Sequence, residues 1–309
     1  MFCNFWKKFF EIKPFNEGFL PEQDGHKVYF VEYGNPNGKP VISFHGGPGG
    51  SARSSHAKNY DLKKIRFISF DQRGGGRSLP SGEFKSNTAQ KTVEDAKRLL
   101  EFLKVKGKVV VAGGSWGSTM ALLFAQTYPK SVEKIAVASI FLANADDMKW
   151  TYETSGLIYP EFLEKIKAEV PHKKNMLKYY ASLINSKKLV DQVKAVSIFG
   201  GYEGVLGSLS PKMEIDEISA DQVTYNKIFI NYVANDLTLE ENQILRDMDK
   251  LKNIKTLIVH NRLDLVCPVK NAYEIHKALP KSKLVIVPEL GHGGKLLKDT
   301  FKKELGNFL

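Results

Sequence analysis

The chain has 309 residues, 42% of them hydrophobic, with 45 Lys and Arg against 34 Asp and Glu for a net charge of +11. That apolar content supports a sizeable buried core and excludes a disordered chain, and the length suits one large α/β domain with an insertion, or two domains. The lysines are scattered in short pairs such as Lys63-Lys64 and Lys187-Lys188, with no basic run or nucleic-acid motif, so they read as a solvated face and no nucleic-acid partner is expected.

In chain order, the aromatic N-terminus (Phe2, Phe5, Trp6, Phe9, Phe10) has no continuous apolar stretch and no small-residue cleavage site. It therefore reads as aromatics packing onto the domain, not as a secretion signal. His26–Tyr33 reads as a strand, and Gly34-Asn35-Pro36-Asn37-Gly38 after it suggests a hairpin turn. Val41–Phe44 and Ile65–Phe70 are further strands, the first running into His45-Gly46-Gly47-Pro48-Gly49-Gly50. Thr92–Leu103 reads as a helix, with Thr92 and Asp95 spaced as a capping box. Val109–Ala112 is a β-branched run that ends in Gly113-Gly114-Ser115-Trp116-Gly117 and is followed by a helical stretch, Ser118–Tyr128. Ile135–Ser139, Thr256–His260 and Leu284–Pro288 complete the strands, and Ala272–Leu279 is a helix. Several strand runs lack polar alternation, as in a parallel sheet covered on both faces.

Between about Asn144 and Glu241, strand-like runs give way to mixed polar, aromatic and lysine-rich segments. The expected organisation is an α/β core in two parts, residues 1–142 and 242–309, interrupted by a helical cap at 143–241. A cap of this kind excludes water and selects substrates. Only two cysteines occur, Cys3 and Cys267, in no metal or disulfide pattern, which fits a reducing, cytoplasmic compartment. No apolar run approaches the roughly 20 residues that span a bilayer, so no integral membrane segment is expected. Oligomeric state is not legible.

The chemistry lies in Gly113–Gly117. A serine between glycines at a strand-to-helix turn is pushed out of the sheet with its hydroxyl exposed. Ser115 is therefore the candidate nucleophile. A serine hydroxyl needs a base, and the base needs an orienting partner. Of seven histidines, His292 lies just beyond the last strand, where loops line the ligand crevice of such sheets. It is the candidate general base, whereas His26, His172 and His276 fall in a strand, the insertion and a helix. Asp264 follows Thr256–His260 and satisfies the chain order Ser, acid, His. Alone it would read as a turn aspartate. The glycines after Val41–Phe44 let backbone amides approach a developing oxyanion. The expected donors are the amides of Gly47 and Trp116, with His45 shaping the loop. No Gly-Lys-Ser/Thr or Gly-x-Gly-x-x-Gly pattern is present, so a nucleotide site is discounted. No metal or organic cofactor is required.

These segments, together with Asp71-Gln72-Arg73-Gly74-Gly75-Gly76-Arg77-Ser78, resemble the proline iminopeptidase (prolyl aminopeptidase) family of α/β-hydrolases, with weaker echoes at Asp264–Pro268 and Gly291-His292. The resemblance runs from about Phe10 to the C-terminus. It implies an α/β-hydrolase core with a mostly parallel sheet, a helical cap, a Ser115–Asp264–His292 triad and release of N-terminal proline from peptides. The family holds the substrate's free amine with cap glutamates. Gly201-Tyr202-Glu203-Gly204 resembles the first of those segments, which makes Glu203 the implied amine anchor. In the second, Phe229 stands where the family has glutamate, and no Asp or Glu occurs between Gln222 and Asn235.

The reading is a serine hydrolase that releases N-terminal proline through an acyl-enzyme. The alternative, motivated by Phe229, is the same machinery acting on an ester or small amide without a free amine. A catalytically silent binding protein would contradict the intact order of the three residues.

Overall fold

The computed structural model describes residues 12–209, 212–213 and 217–309. The aromatic segment Phe2–Phe10 and Cys3 lie outside the described residues, so their expected packing is not addressed.

Eight strands form one sheet: β1 (Asn16–Phe19), β2 (Tyr29–Gly34), β3 (Lys39–Phe44), β4 (Ile65–Phe70), β5 (Val109–Ser115), β6 (Val132–Ile140), β7 (Lys255–Leu263) and β8 (Ser282–Leu290). Their spatial order is β1-β2-β4-β3-β5-β6-β7-β8. β1–β2 and β2–β4 are antiparallel and all other pairs are parallel. Successive residues of the central strands enter opposite cores. Ile42, Phe44, Val109 and Val111 face one cluster, while Val41, Val110 and Ala112 face the other. Burial on both faces explains the missing polar alternation. Four helices flank the sheet: α1 (Ala89–Phe102), α2 (Trp116–Thr127), α9 (Val269–Ala278) and α10 (Lys295–Phe308).

Two local expectations are corrected. The Gly34–Gly38 turn does not close a hairpin onto β3, because β4 lies between β2 and β3. The hairpin partner of β2 is β1, which precedes it. The first flanking helix is capped by Thr88, whose side chain accepts the Lys91 amide at 3.2 Å, not by Thr92. Thr92 and Asp95 are fully buried inside that helix. Asp95 instead takes Arg73 in a buried two-point pair, Nε–Oδ2 2.6 Å and Nη2–Oδ1 3.0 Å. A tertiary ion pair has recruited the residue that the local pattern assigned to a cap.

The stretch between β6 and β7 contains helices and no strand among its described residues: α3 (Ala145–Lys149), α4 (Pro160–Ala168), α5 (Met176–Ile184), α6 (Leu189–Ala195), α7 (Gly201–Ser208) and α8 (Ala220–Ala234). Trp150–Thr154 and Val196–Gly200 are wider π-type turns that continue α3 and precede α7. Such turns break the ordinary helical period and re-aim side chains. After α8, Asp236, Leu237 and Thr238 carry φ of 52°, 52° and 58°. Three successive left-handed non-glycine residues cost roughly 1–2 kcal/mol each. Contacts hold the turn: Leu237 is 1% exposed, and the Thr238 hydroxyl accepts the Ala89 amide at 2.8 Å. No described helix is long and apolar enough to cross a membrane.

Candidate active site

The turn from β5 into α2 carries Ser115, at φ 58° and ψ −133°. This is a sparsely populated conformation for a non-glycine residue. The residues two positions before and after it must be glycine for steric reasons. A Cβ on Gly113 would stand 2.0 Å from the Gly117 carbonyl oxygen, and one on Gly117 would stand 2.2 Å from that of Phe44. The Ser118 hydroxyl donates to the Ser115 carbonyl at 2.7 Å, closing the elbow.

The glycine loop after β3 lies directly against the elbow. A Cβ on Gly46 would sit 3.4 Å from the Ser115 Cβ, and Gly47 takes a left-handed φ of 126°. Trp116 occupies the first position of α2, where the backbone N–H has no intrahelical partner. Gln72 joins the two donor segments. Its backbone N–H donates to His45 Nε2 at 3.0 Å, and its Nε2 donates to the His45 carbonyl at 2.9 Å. Its Oε1 accepts the Trp116 indole N–H at 2.9 Å. Burial pushes the His45 imidazole below its ordinary pKa, so it is the neutral acceptor that this network needs and is bonded into the loop.

His292 and Asp264 meet: Nδ1 lies 2.8 Å from Oδ2 and 3.1 Å from Oδ1. Asp264 is fixed in turn by the amides of Val266 and Cys267, each 2.9 Å from Oδ1. Asn261 holds the histidine loop by donating to the carbonyls of Gly291 and Gly293, both at 2.9 Å. Burial opposes charging of His292, but the Asp264 carboxylate, through its charge and hydrogen bond, and Glu203 behind it leave its pKa above the ordinary value. No hydrogen bond joins the Ser115 hydroxyl to His292 among the described residues. The Ser115 hydroxyl and the Cys267 thiol line the same cavity. Burial holds that thiol well above its ordinary pKa, nearby carboxylates add to the rise, and Ser115 opposes it. Asp264, Cys267 and His292 each place a donor atom within 4.8 Å of the others. Two of those groups are already engaged with each other as the acid–histidine pair.

Gly47, Ser115, Glu203, Cys267 and Phe229 line one small cavity of about 30 Å³. Glu203 enters it from α7. Burial lifts its carboxyl to about 7, against the opposing pull of Tyr152 and His292. The Tyr152 hydroxyl donates to Glu203 Oε1 at 2.7 Å. Burial and the adjacent carboxylate hold that phenol well above its ordinary pKa, so it remains a donor. Phe229 presents a ring stacked on Tyr225, centroids 5.9 Å apart. No second carboxylate lines this cavity with Glu203.

Thus Ser115, Gly47 and Glu203 meet in one cavity, with the Asp264–His292 pair formed beside it. The sequence reading missed Tyr152, Gln72 and Asn261. Tyr152 has no motif and lies 51 residues from its partner. Gln72 sits inside the Asp71–Ser78 motif, but its role depends on a side chain 44 residues away.

The sheet, the serine elbow and the acid–histidine pair define an α/β hydrolase, and residues 39–299 match the model of the alpha/beta hydrolase fold family. Within that class the chain belongs to the proline iminopeptidase family. It is 34% identical over 291 residues to a proline iminopeptidase of Xylella fastidiosa (strain Temecula1 / ATCC 700964), covering 91% of this chain and 92% of that protein. It is 35% identical to a probable proline iminopeptidase of Leptolyngbya boryana over 91% and 89% of the two chains. Among solved structures, a putative lipase from Acinetobacter baumannii AYE aligns with a TM-score of 0.60 at 18% identity, over 95% of this chain and 90% of that one. The enol-lactonase from Burkholderia xenovorans LB400 aligns with a TM-score of 0.58 at 15% identity, over 94% and 99%. These last two share the fold.

Proposed function

We propose that this protein is a serine aminopeptidase that releases N-terminal proline from small peptides, with residues 143–241 acting as a cap over a core of residues 1–142 and 242–309. Ser115 attacks the carbonyl carbon of the N-terminal residue. His292 takes the serine proton through Nε2 while Asp264 holds Nδ1–H and stabilises the imidazolium. The amides of Gly47 and Trp116 receive the oxyanion, each donor being worth about 3 kcal/mol of barrier. His292 then delivers the proton to the departing amine. Water enters, loses its proton to His292 and releases the acyl group, regenerating Ser115. The Ser115–His292 bond is made in the substrate complex, since such bonds are often long before substrate binds and tighten in the Michaelis complex.

The observation that carries the substrate assignment is Glu203, a half-buried carboxylate held by Tyr152 in the cavity that Ser115 lines. A cationic amine in a covered site is attracted far more strongly than in water. A substrate without a free amine would leave that carboxylate with the Tyr152 hydroxyl but no cationic partner, so the ester reading is not favoured. The relatives named as proline iminopeptidases support the same assignment. The free, buried Cys267 fits a reducing compartment, and we place the enzyme in the cytoplasm.

The test compares prolyl-anilide with its N-acetylated analogue. The expected result is at least a hundredfold preference for the free amine, lost in Glu203→Gln, with both activities abolished in Ser115→Ala. Equal rates on the two substrates would remove the amine anchor from the mechanism.

A further inference from the structure

Any N-terminal residue must find more room than the cavity offers. A space of about 30 Å³ holds one or two waters, whereas a pyrrolidine ring has five heavy atoms. The structure shows where room for side chains longer than that ring lies. A second cavity of about 660 Å³, within the usual range of ligand sites, shares four residues with the first: Met148, Tyr152, Val233 and Leu237. These four form the wall, or partition, shared by the small cavity beside Ser115 and the larger one, the outer chamber.

The outer chamber joins on the acyl side. Tyr152 belongs to the shared wall and its hydroxyl holds Glu203, so the wall stands where the ammonium group and side chain of the N-terminal residue are bound. The departing amine must stand beside His292, which protonates it. The loop at Gly291–His292 and the neighbouring Val266 and Cys267 do not line the outer chamber. The peptide beyond the scissile bond therefore runs elsewhere.

Two side chains of this partition govern what could pass it. Met148 is half-buried and has an unbranched, adaptable side chain. Leu237 is carried on the left-handed turn Asp236–Thr238, a backbone conformation that costs energy to hold. Behind them the chamber offers Met176, Leu177 and Leu239, an apolar lining, with charged groups such as Lys167 and Glu241.

We propose that Met148 and Leu237 set the specificity for the N-terminal residue, and that the outer chamber is a subsite for apolar side chains longer than the proline ring, of the leucine and methionine kind. This rests on the assignment of Ser115 and Glu203 made above.

The experiment measures kcat/KM for prolyl-, leucyl- and methionyl-anilides on the wild type, Leu237→Ala and Met148→Ala, with circular dichroism to verify folding. The expected result is a rise of about tenfold or more in the leucyl-to-prolyl ratio in each variant, the usual scale of discrimination by one or two methylenes. Adding Leu177→Trp to Leu237→Ala, which narrows the chamber behind the partition, should reverse the gain. A ratio unchanged within twofold in Met148→Ala and in folded Leu237→Ala, with prolyl cleavage persisting, would overturn the proposal. So would a gain that survives the tryptophan. Failure of the aminopeptidase assignment looks different: the wild type would cleave the N-acetylated anilide as fast as the free one.

Discussion

Replacing Tyr152 by Phe removes the one side-chain hydrogen bond recorded for Glu203, at 2.7 Å, and leaves the ring in place. That bond favours the ionised carboxylate and offsets part of the burial that lifts the carboxyl to about 7. Hydrogen bonds to charged groups contribute about 1.5–3 kcal/mol, and one pKa unit corresponds to about 1.4 kcal/mol. Losing the bond should raise Glu203 by about one unit, to about 8. The ionised fraction then falls about tenfold near pH 6 but only about twofold near pH 8. The assay is kcat/KM for prolyl-anilide between these pH values, because that parameter reports the free enzyme. The acid limb should move up by about one unit, and the loss should shrink as pH rises. A loss by the same factor at every pH would show that Tyr152 only shapes the cavity and that Glu203 does not titrate as the amine anchor.

Glu203→Gln should stabilise the fold at alkaline pH while weakening activity. The folded carboxyl titrates near 7 against an ordinary 4.5, so the folded state keeps a proton that the unfolded chain releases. The resulting penalty grows as pH rises from 4.5 and is complete above about 7, at no more than about 3 kcal/mol. Urea midpoints of variant and wild type should therefore coincide near pH 4 and separate near pH 8, and separation of equal size at both would refute the sign. Gly117→Ala should lower stability by about 3 kcal/mol and abolish turnover, since its methyl would meet the Phe44 carbonyl at 2.2 Å; a thermal melt and an anilide assay check both. Asp95→Ala should cost about 3–5 kcal/mol by leaving the Arg73 guanidinium short of its two-point partner in the core. A urea midpoint unchanged from wild type would show that Asp24 and the Ser86 carbonyl suffice.

What was legible in the sequence was local. The elbow at Gly113–Gly117 turns within five residues at the end of its strand, so its pattern and its geometry coincide, even though Gly117 also makes way for the remote Phe44 carbonyl. Asp264 and His292 were readable from chain order, because the sheet fixes where each loop emerges. Glu203 was reachable only through resemblance, and Tyr152 not at all. Its approach depends on the packing of the wide turn at Trp150–Thr154 against α7, which leaves no periodic trace. The misread cap at Thr92 and the misread hairpin at Gly34–Gly38 share a cause. In each, a partner remote in sequence, Arg73 or β4, overrode a sound short-range signal.

The chain leaves the sheet at the end of β6 and rejoins it at β7, and these two strands are immediate neighbours, paired from Lys134–Lys255 to Ala138–Val259. Everything between them is inserted at one place in the sheet, although its last helix and the turn after it also bond to the core, Tyr232 to Asn87 and Thr238 to Ala89. The intervening helices supply none of the ladder bonds, and the strand that carries Ser115 lies on the far side of β6. A lineage can thus retool what the enzyme accepts while inheriting its bond-breaking apparatus intact.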